Sequence, residues 1–393
     1  MVELSSSEDA FLSRSKPTQA SELSLCVIAD NQTALERLKT TPHTWVHSPY
    51  QDPSLLVSWL TEGNARAFLV EFQTSDGPVI LPLQSYDDCT AGYIGGRHAN
   101  GNFPIGSPDA IRALGTVNRT SLKRSLHSQP MAPCSLTLER QLRSVGLLQN
   151  PFVDGRSTAS PNVALSLDIS DGFDAVLAQR NAKRMRKKAR SSMRKLEELG
   201  HTEIVIPDQS DLASQFLDRF FELKSQRFNE LGIFDVFADA ATRAVFRKHF
   251  AQKRDTMHGT RRRIHALCLE GNPIAIIGCT EFSSQVTVEF GAFDNSYAHA
   301  SPGDLLFFKA IEHYCTEGYT KFDFGIGDET YKRRWCDIET WHADTFVASN
   351  LRGQLIAITK DARTNAVRAL KTNQRLWSVA KQVRKRVAGL RSQ

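Results

Sequence analysis

The stretch SPGDLLFFKAIEHYCTEGYTKFDFG, residues 301–325, reads as a helix followed by a strand, with both ends of the helix marked. Ser301 is a candidate cap, Pro302 suits the first helical position, and Gly318 stops the helix after Glu317. KFDFG follows as a strand in which Asp323 alternates with Phe322 and Phe324. Gly303 leaves room for another molecule to approach the backbone. The N–H groups of Gly303, Asp304 and Leu305 are expected to face outward at the positive end of the helix dipole. A helix start of that kind accepts a pyrophosphate. The letters SPGD alone fit an ordinary capped helix better than a ligand site, so the neighbouring elements have to decide.

Upstream, RIHALCLE and PIAIIGCTEF are strands joined by Gly271-Asn272, and a Ser-Ser-Gln turn leads into a third strand, VTVEFGAF. Downstream, DETYKRRW suggests a helical turn and TWHADTFVAS a last strand. Three antiparallel strands, a helix, a strand, a turn of helix and a strand make a mixed α/β unit. Before it, helices are expected over 171–199, 211–231 and 238–253. In the first third, AFLVEFQ and VILPLQS form a hairpin, and SLCVIAD and SLTLE are further strands. Helices are expected over 52–60 and 109–126, with a short one at RQLRSVG. NPFVDGRSTASPN, residues 150–162, is rich in Pro, Gly and Ser and marks a domain boundary. The expected division is a disordered lead (1–23), an N-terminal domain (24–160), a second domain (161–350) and a basic amphipathic helical tail (351–393). No internal repeat is visible residue by residue.

At 393 residues the chain is long enough for two or three domains of about 150 residues. No run approaches the roughly eighteen apolar residues of a membrane span. The first residues carry early acids and no apolar signal core, and the seven cysteines form no CxxC pair. A cytoplasmic, metal-free protein is the expectation. The net charge of +6 is concentrated. Nine Lys/Arg lie between Arg180 and Leu199 and eleven between Arg352 and Gln393, so the remainder is net acidic. That distribution does not describe a uniformly basic nucleic-acid binder.

The block SPGDLLFFKAIEHYCTEGYTKFDFGIGDETYKRRW, with RNAKRMRKKARSSMRKLEELG and LEGNPIAIIG before it, resembles the GNAT-superfamily acyltransferases of the CelD/BioF-like branch (the Acetyltransf_6 type), relatives of the FemAB transferases. HSPYQDPSLLVSW and VILPL resemble that branch's N-terminal half. The resemblance spans about 42–350. It implies tandem GNAT-like domains, each a mixed, mostly antiparallel sheet flanked by helices, the second binding acetyl-CoA or another acyl-CoA. The acceptor it implies is an amine or hydroxyl of a sugar or polysaccharide precursor. The usual GNAT loop has an Arg or Gln followed by closely spaced glycines. Here there is one such glycine, and Asp304 would sit against the pyrophosphate. FemAB relatives use aminoacyl-tRNA, so a tRNA-dependent transferase is an alternative, as is a non-catalytic scaffold of the same fold at a membrane surface.

Acyl transfer requires a base for the nucleophile, donors for an oxyanion and an acid for the thiolate. Glu289 in VTVEFGAF lies on the strand that flanks the thioester in GNAT folds. Alternation would put Val286, Val288 and Phe290 on one face and Thr287 and Glu289 on the other. Tyr331 follows the FDFG strand, where many GNAT enzymes place a general-acid tyrosine. Asp323 is expected to be paired, with Lys332 or Arg333 as partner, and Lys332 to face substrate or phosphate. Trp335 and His299 are candidates for the acceptor or coenzyme pocket, and His98 and Asn100 for an acceptor site at the domain interface. No Cys is placed for nucleophilic catalysis, so direct attack is expected. Packing or solvation is the competing role at each of these positions. The tail, with Val367, Leu370, Trp377, Ala380, Val383, Val387 and Leu390 at helical spacing, suits packing on the transferase domain or peripheral contact with an anionic membrane.

Overall fold

The computed structural model describes residues 23–129, 131–251 and 259–372. The expected disordered lead, apart from its last residue, and the tail from 373 onward lie outside the described residues. The first half contains β1 (Leu25–Ile28), α1 (Asn31–Lys39), α2 (Pro53–Thr61), β2 (Arg66–Thr74), β3 (Gly77–Ser85), β4 (Thr90–Tyr93), β5 (Ile105–Gly106), α3 (Pro108–Leu114), α4 (Arg119–His127), β6 (Ser135–Gln141), β7 (Ser144–Val145) and β8 (Leu148–Gln149). The second contains β9 (Thr158–Asp168), α5 (Phe173–Ala178), α6 (Ala182–Glu197), β10 (Thr202–Val205), α7 (Ser210–Leu231), α8 (Ala240–Phe250), β11 (Thr260–Leu269), β12 (Asn272–Phe282), β13 (Gln285–Phe293), α9 (Pro302–Thr316), β14 (Lys321–Ile326), α10 (Thr330–Arg333), β15 (Ile338–Ala348) and α11 (Leu351–Thr372).

The strands form one mixed sheet in the order β1-β2-β3-β4-β6-β15-β9-β14-β13-β12-β11-β10, with β5 on the side of β3. From either edge, four antiparallel strands lead to one parallel pair, β4 with β6 or β13 with β14, and then to an antiparallel strand. The topology is repeated although the residues are not, so the halves are tandem units of one fold. The first half takes its last strand from the other side of the junction, and the second is completed by the strand that spans it. β15, from the C-terminal end, pairs with β6, while β9 pairs with β14, and β9 and β15 pair with each other. The 160/161 junction read from the sequence therefore lies inside β9.

Three expected helices differ. The 109–126 helix is two, because Gly115 turns the chain at φ 57° before Asn118 caps α4. The 171–199 helix is also two, α6 restarting where the Asn181 side chain accepts the Arg184 N–H at 3.0 Å. RQLRSVG is not helical. Arg140 and Gln141 finish β6, and ladder pairing with β15 overrides the local pattern.

Between the helices and the two sheet faces lie three apolar clusters. Phe216, Phe220, Phe246 and Phe290 gather under α7 and α8, joined by Leu56 and Leu60 of α2. Val286, Leu306, Ile311 and Phe322 gather under α9. The third, with Phe68, Leu81 and Leu136, belongs to the first half. The core thus runs without a break from one half to the other, which fixes their relative position at the site.

Candidate active site

β13 and β14 pair in parallel only over Gln285–Thr287 with Lys321–Asp323, and beyond Thr287 β13 has no ladder partner in β14. The gap opens into a cavity of about 740 Å³. Its walls are Val288 to Phe293 of β13, Phe324 to Ile326 of β14, the start of α9, and Lys224 and Arg227 of α7. Tyr50 and Asn100 close it from the first half. The matching gap in the first half is bridged, since the Tyr93 hydroxyl of β4 donates to Gln141 Oε1 of β6 at 3.0 Å.

Glu289 lies on this cavity, and a β-bulge aims it. Cys279 pairs with Val288 and Gly278 with Phe290, so Glu289 is the extra residue of β13. The bulge breaks the alternation expected from VTVEF. Val286 faces the α9 cluster, while Phe290 faces the phenylalanines of α7 and α8. Glu289 accepts a hydrogen bond from the Thr280 hydroxyl. Its Oε1 is 3.8 Å from Arg262 Nε. Arg262 is buried and reaches into the first half, with Nη1 3.3 Å from Asp52 Oδ2 and Nη2 donating to the Pro49 carbonyl at 3.1 Å. Asp52 also caps α2, accepting the Ser54 N–H at 2.9 Å. Burial pushes the Glu289 carboxyl above the usual range, against the opposing pull of Arg262 and Thr280. A carboxyl poised in this way is a better base than an exposed one.

Tyr331 lines the opposite wall, its ring stacked on Phe307 at 5.4 Å between centroids. Burial, then the nearby Glu329, pushes its phenol upward, so it holds its proton at neutral pH. Lys332 also lines the cavity, with Nζ bound to the Ile326 carbonyl at 2.9 Å and 3.0 Å from Glu329 Oε2. Asp323 does not pair directly with Lys332 or Arg333. It accepts the Gly325 N–H at 2.7 Å and lies 3.7 Å from Lys321 Nζ, because its strand position points it along β14 rather than toward α10. Arg333 is taken by Asp328 and Glu339. Burial raises the Asp323 carboxyl.

At the start of α9, Ser301 adopts left-handed backbone angles (φ 53°, ψ 53°) and its side chain makes no capping bond. The Leu305 N–H is also spent inside the helix, on the Ser301 carbonyl at 3.2 Å, and its side chain is core. Gly303 and Asp304 line the cavity. The Asp304 carboxylate pairs with Lys188 of α6 and, at 2.9 Å, with Arg334 Nη1. The acid that disfavoured an anion there in the sequence is thus countered by two cations.

Other candidates lie elsewhere. Trp335 is packed against Phe308 and lines a second cavity of about 300 Å³ between α6 and α9 together with Leu305. His299 is exposed, and its carbonyl accepts from Lys195 at 3.0 Å. His98 is enclosed by Trp59, Phe237 and Phe246, where burial lowers it to about 4. Sequence reasoning missed Tyr50, Asp52, Lys224, Arg227 and Arg262. Only Asp52 carried a signal, as a helix cap. The others read as ordinary members of a loop, a helix face and a strand.

Residues 183–333 match the family model described as an acetyltransferase (GNAT) domain. No curated protein matches in sequence. Among solved structures the chain is similar to FemX, at 12% identity and TM-score 0.50, over 85% of this chain and 100% of that one. It is also similar to the C-terminal DUF2156 domain of an Agrobacterium fabrum protein described as a lysylphosphatidylglycerol synthetase (13% identity, TM-score 0.48, 84% and 96% covered). A tandem GNAT protein from the clavulanic acid biosynthesis pathway aligns at 12% identity and TM-score 0.41, over 84% and 99% of the two chains. Residues 183–333, which hold the basic helix, the parted β13–β14 pair and α9, are thus similar to GNAT acetyltransferase domains, and the chain is similar in fold to FemX.

Proposed function

We propose that the protein transfers an acetyl or similar acyl group from coenzyme A to an amine or hydroxyl of a sugar or polysaccharide-precursor acceptor, by direct attack. The observation that carries this reading is the cavity itself, which joins the parted strands, Glu289, Tyr331 and the start of α9. The thioester lies in the gap between β13 and β14. The acceptor enters beneath Tyr50 and Asn100, and Glu289 takes the proton its nucleophile loses. Backbone N–H groups of β13 that face the gap hold the oxyanion. Tyr331 returns a proton to the departing thiolate, an uphill transfer, since a phenol ordinarily titrates near 10 against about 8.5 for a thiol and burial raises Tyr331 further. The coenzyme's anionic end sits at Gly303 and Asp304, with Lys188 and Arg334 turning from Asp304 to the phosphates. Calorimetric titration with acetyl-CoA tests this. Micromolar binding abolished by Gly303→Glu supports the donor and its position, and no binding at low salt removes acetyl-CoA.

One observation favours a second reading, an aminoacyl-tRNA-dependent transfer of the FemAB kind. Asp304 already fills the anion position at α9, and α6 presents a row of basic side chains beside it. Affinity for charged tRNA that falls steeply with salt, together with no coenzyme binding, would select that reading.

A further inference from the structure

Helix α11 packs across β15, β9 and β6 and leaves an apolar stripe uncovered. Leu351, Leu355 and Ile358 are 82%, 68% and 58% exposed. They are three of the ten large apolar side chains exposed among the described residues, gathered within eight positions. The spacing puts them on one side of the helix, and exposed Ala362 and Ala369 continue the line. The other side is held. Gly353 lies against the backbone of Cys134, Asp361 accepts from Thr158, and the Arg368 guanidinium sits 5.3 Å over Trp341. Val367 and Leu370, expected on the apolar face, are half-buried on that held side. At the first end of the stripe, Met131, 67% exposed, is three residues from Cys134.

The charge of the helix is predominantly positive: α11 carries Arg352, Lys360, Arg363, Arg368 and Lys371 against one acid, Asp361, which Thr158 engages. Arg352 and Arg363 are exposed along one flank. In the sequence beyond, Leu376, Ala380, Val383, Val387 and Leu390 keep the spacing, while residues 373–393 contain six Lys/Arg and no acid. No helix among the described residues is long and apolar enough to cross a membrane. We infer that α11 docks this protein on an anionic lipid surface, its Leu351–Leu355–Ile358 stripe entering the interface and its basic residues meeting the headgroups. A dimer seam would use the same leucines, but the excess of positive charge would then be brought against itself, whereas lipid phosphates neutralise it. The inference goes beyond the acyl-transfer reading and does not depend on it.

Co-sedimentation of the full chain with vesicles tests it, using phosphatidylglycerol mixed equally with phosphatidylcholine against phosphatidylcholine alone. The expected result is at least about tenfold stronger partitioning to the anionic vesicles, weakened by salt, and lost in Leu355→Asp/Ile358→Asp. Both side chains are solvent-exposed, so that variant keeps its fold, which circular dichroism checks. Binding retained by the variant, or equal binding to both vesicles, would overturn the inference. So would failure to bind either, and a wild-type dimer in sedimentation that the variant dissolves would assign the stripe to a second copy instead.

Discussion

Glu289 stands between two influences, one from its own half and one from the other. Arg262 favours its charged form and Asp52, on the far side of Arg262, opposes it. If Glu289 is the base, kcat/KM falls as the pH drops through its titration. Arg262→Gln is expected to move that acid limb to higher pH and Asp52→Asn to lower pH, in variants whose folding is verified by circular dichroism. Displacements of the same sign would mean that another group governs the limb. Glu289→Gln should reduce kcat by about 10²–10⁴ with donor affinity kept; an unchanged kcat in single-turnover assays removes Glu289 from the chemistry. Stability responds in the opposite sense. A carboxyl whose titration is raised by folding contributes stability below its unfolded value, and that contribution is lost as the pH rises through the folded value. Glu289→Gln should therefore gain on the wild type in melting temperature from acidic to neutral pH.

At the scale of elements, the bulge and the helix start do the positioning. Gly278 lies opposite the bulge, and a Cβ there would stand 2.1 Å from the tip of the Phe290 ring. Gly278→Val should cost about 1–3 kcal/mol in urea unfolding, because Phe290 must leave its place among the phenylalanines. A wild-type midpoint would show that the ring has room to move. At α9, Asp304 holds Lys188 and Arg334 away from any bound anion. Asp304→Asn should tighten acetyl-CoA binding by about 1 kcal/mol, since it removes a negative charge from a helix N-terminus that would otherwise favour the phosphates. Weaker binding by calorimetry would locate the pyrophosphate elsewhere. The capping motif SPGD was legible in the sequence, but not the left-handed Ser301 that leaves its hydroxyl unused.

For the whole molecule, the crossing of β15 to the first half decides how the chain can be divided. β6 has β15 on its open side, and β14 has β9. A fragment of residues 24–160 loses β15 and carries β9 only as a stub, so it exposes an unpaired edge and part of a shared core. It should aggregate or stay unfolded, whereas the full chain unfolds in one cooperative transition. Circular dichroism and light scattering of the fragment check this, and a soluble folded 24–160 would show that β15 is dispensable to the first half. The boundary was legible as a polar, Pro/Gly/Ser-rich stretch, but the pairing of β15 with β6 left no local mark, because partners such as Gln141 and Ala343 lie far apart in the chain and share no sequence signal.

By itself the sequence determined the elements with strong local punctuation. These were the β11–β12–β13 meander, α9 with its Pro302 start and Gly318 stop, α2 under Asp52, and the family resemblance, which the family model matches over residues 183–333. It also brought Glu289 and Tyr331 forward as candidates, and both line the cavity. Only the tertiary structure decided that a bulge turns Glu289 toward Arg262, that Asp52 and Tyr50 from the first half complete its surroundings, and that Lys188 and Arg334 neutralise Asp304. The physical reason is one of range. Caps, turns and periodicity act over a few residues and are written locally, whereas the charge state of a buried carboxylate depends on groups that only folding brings within a few ångströms.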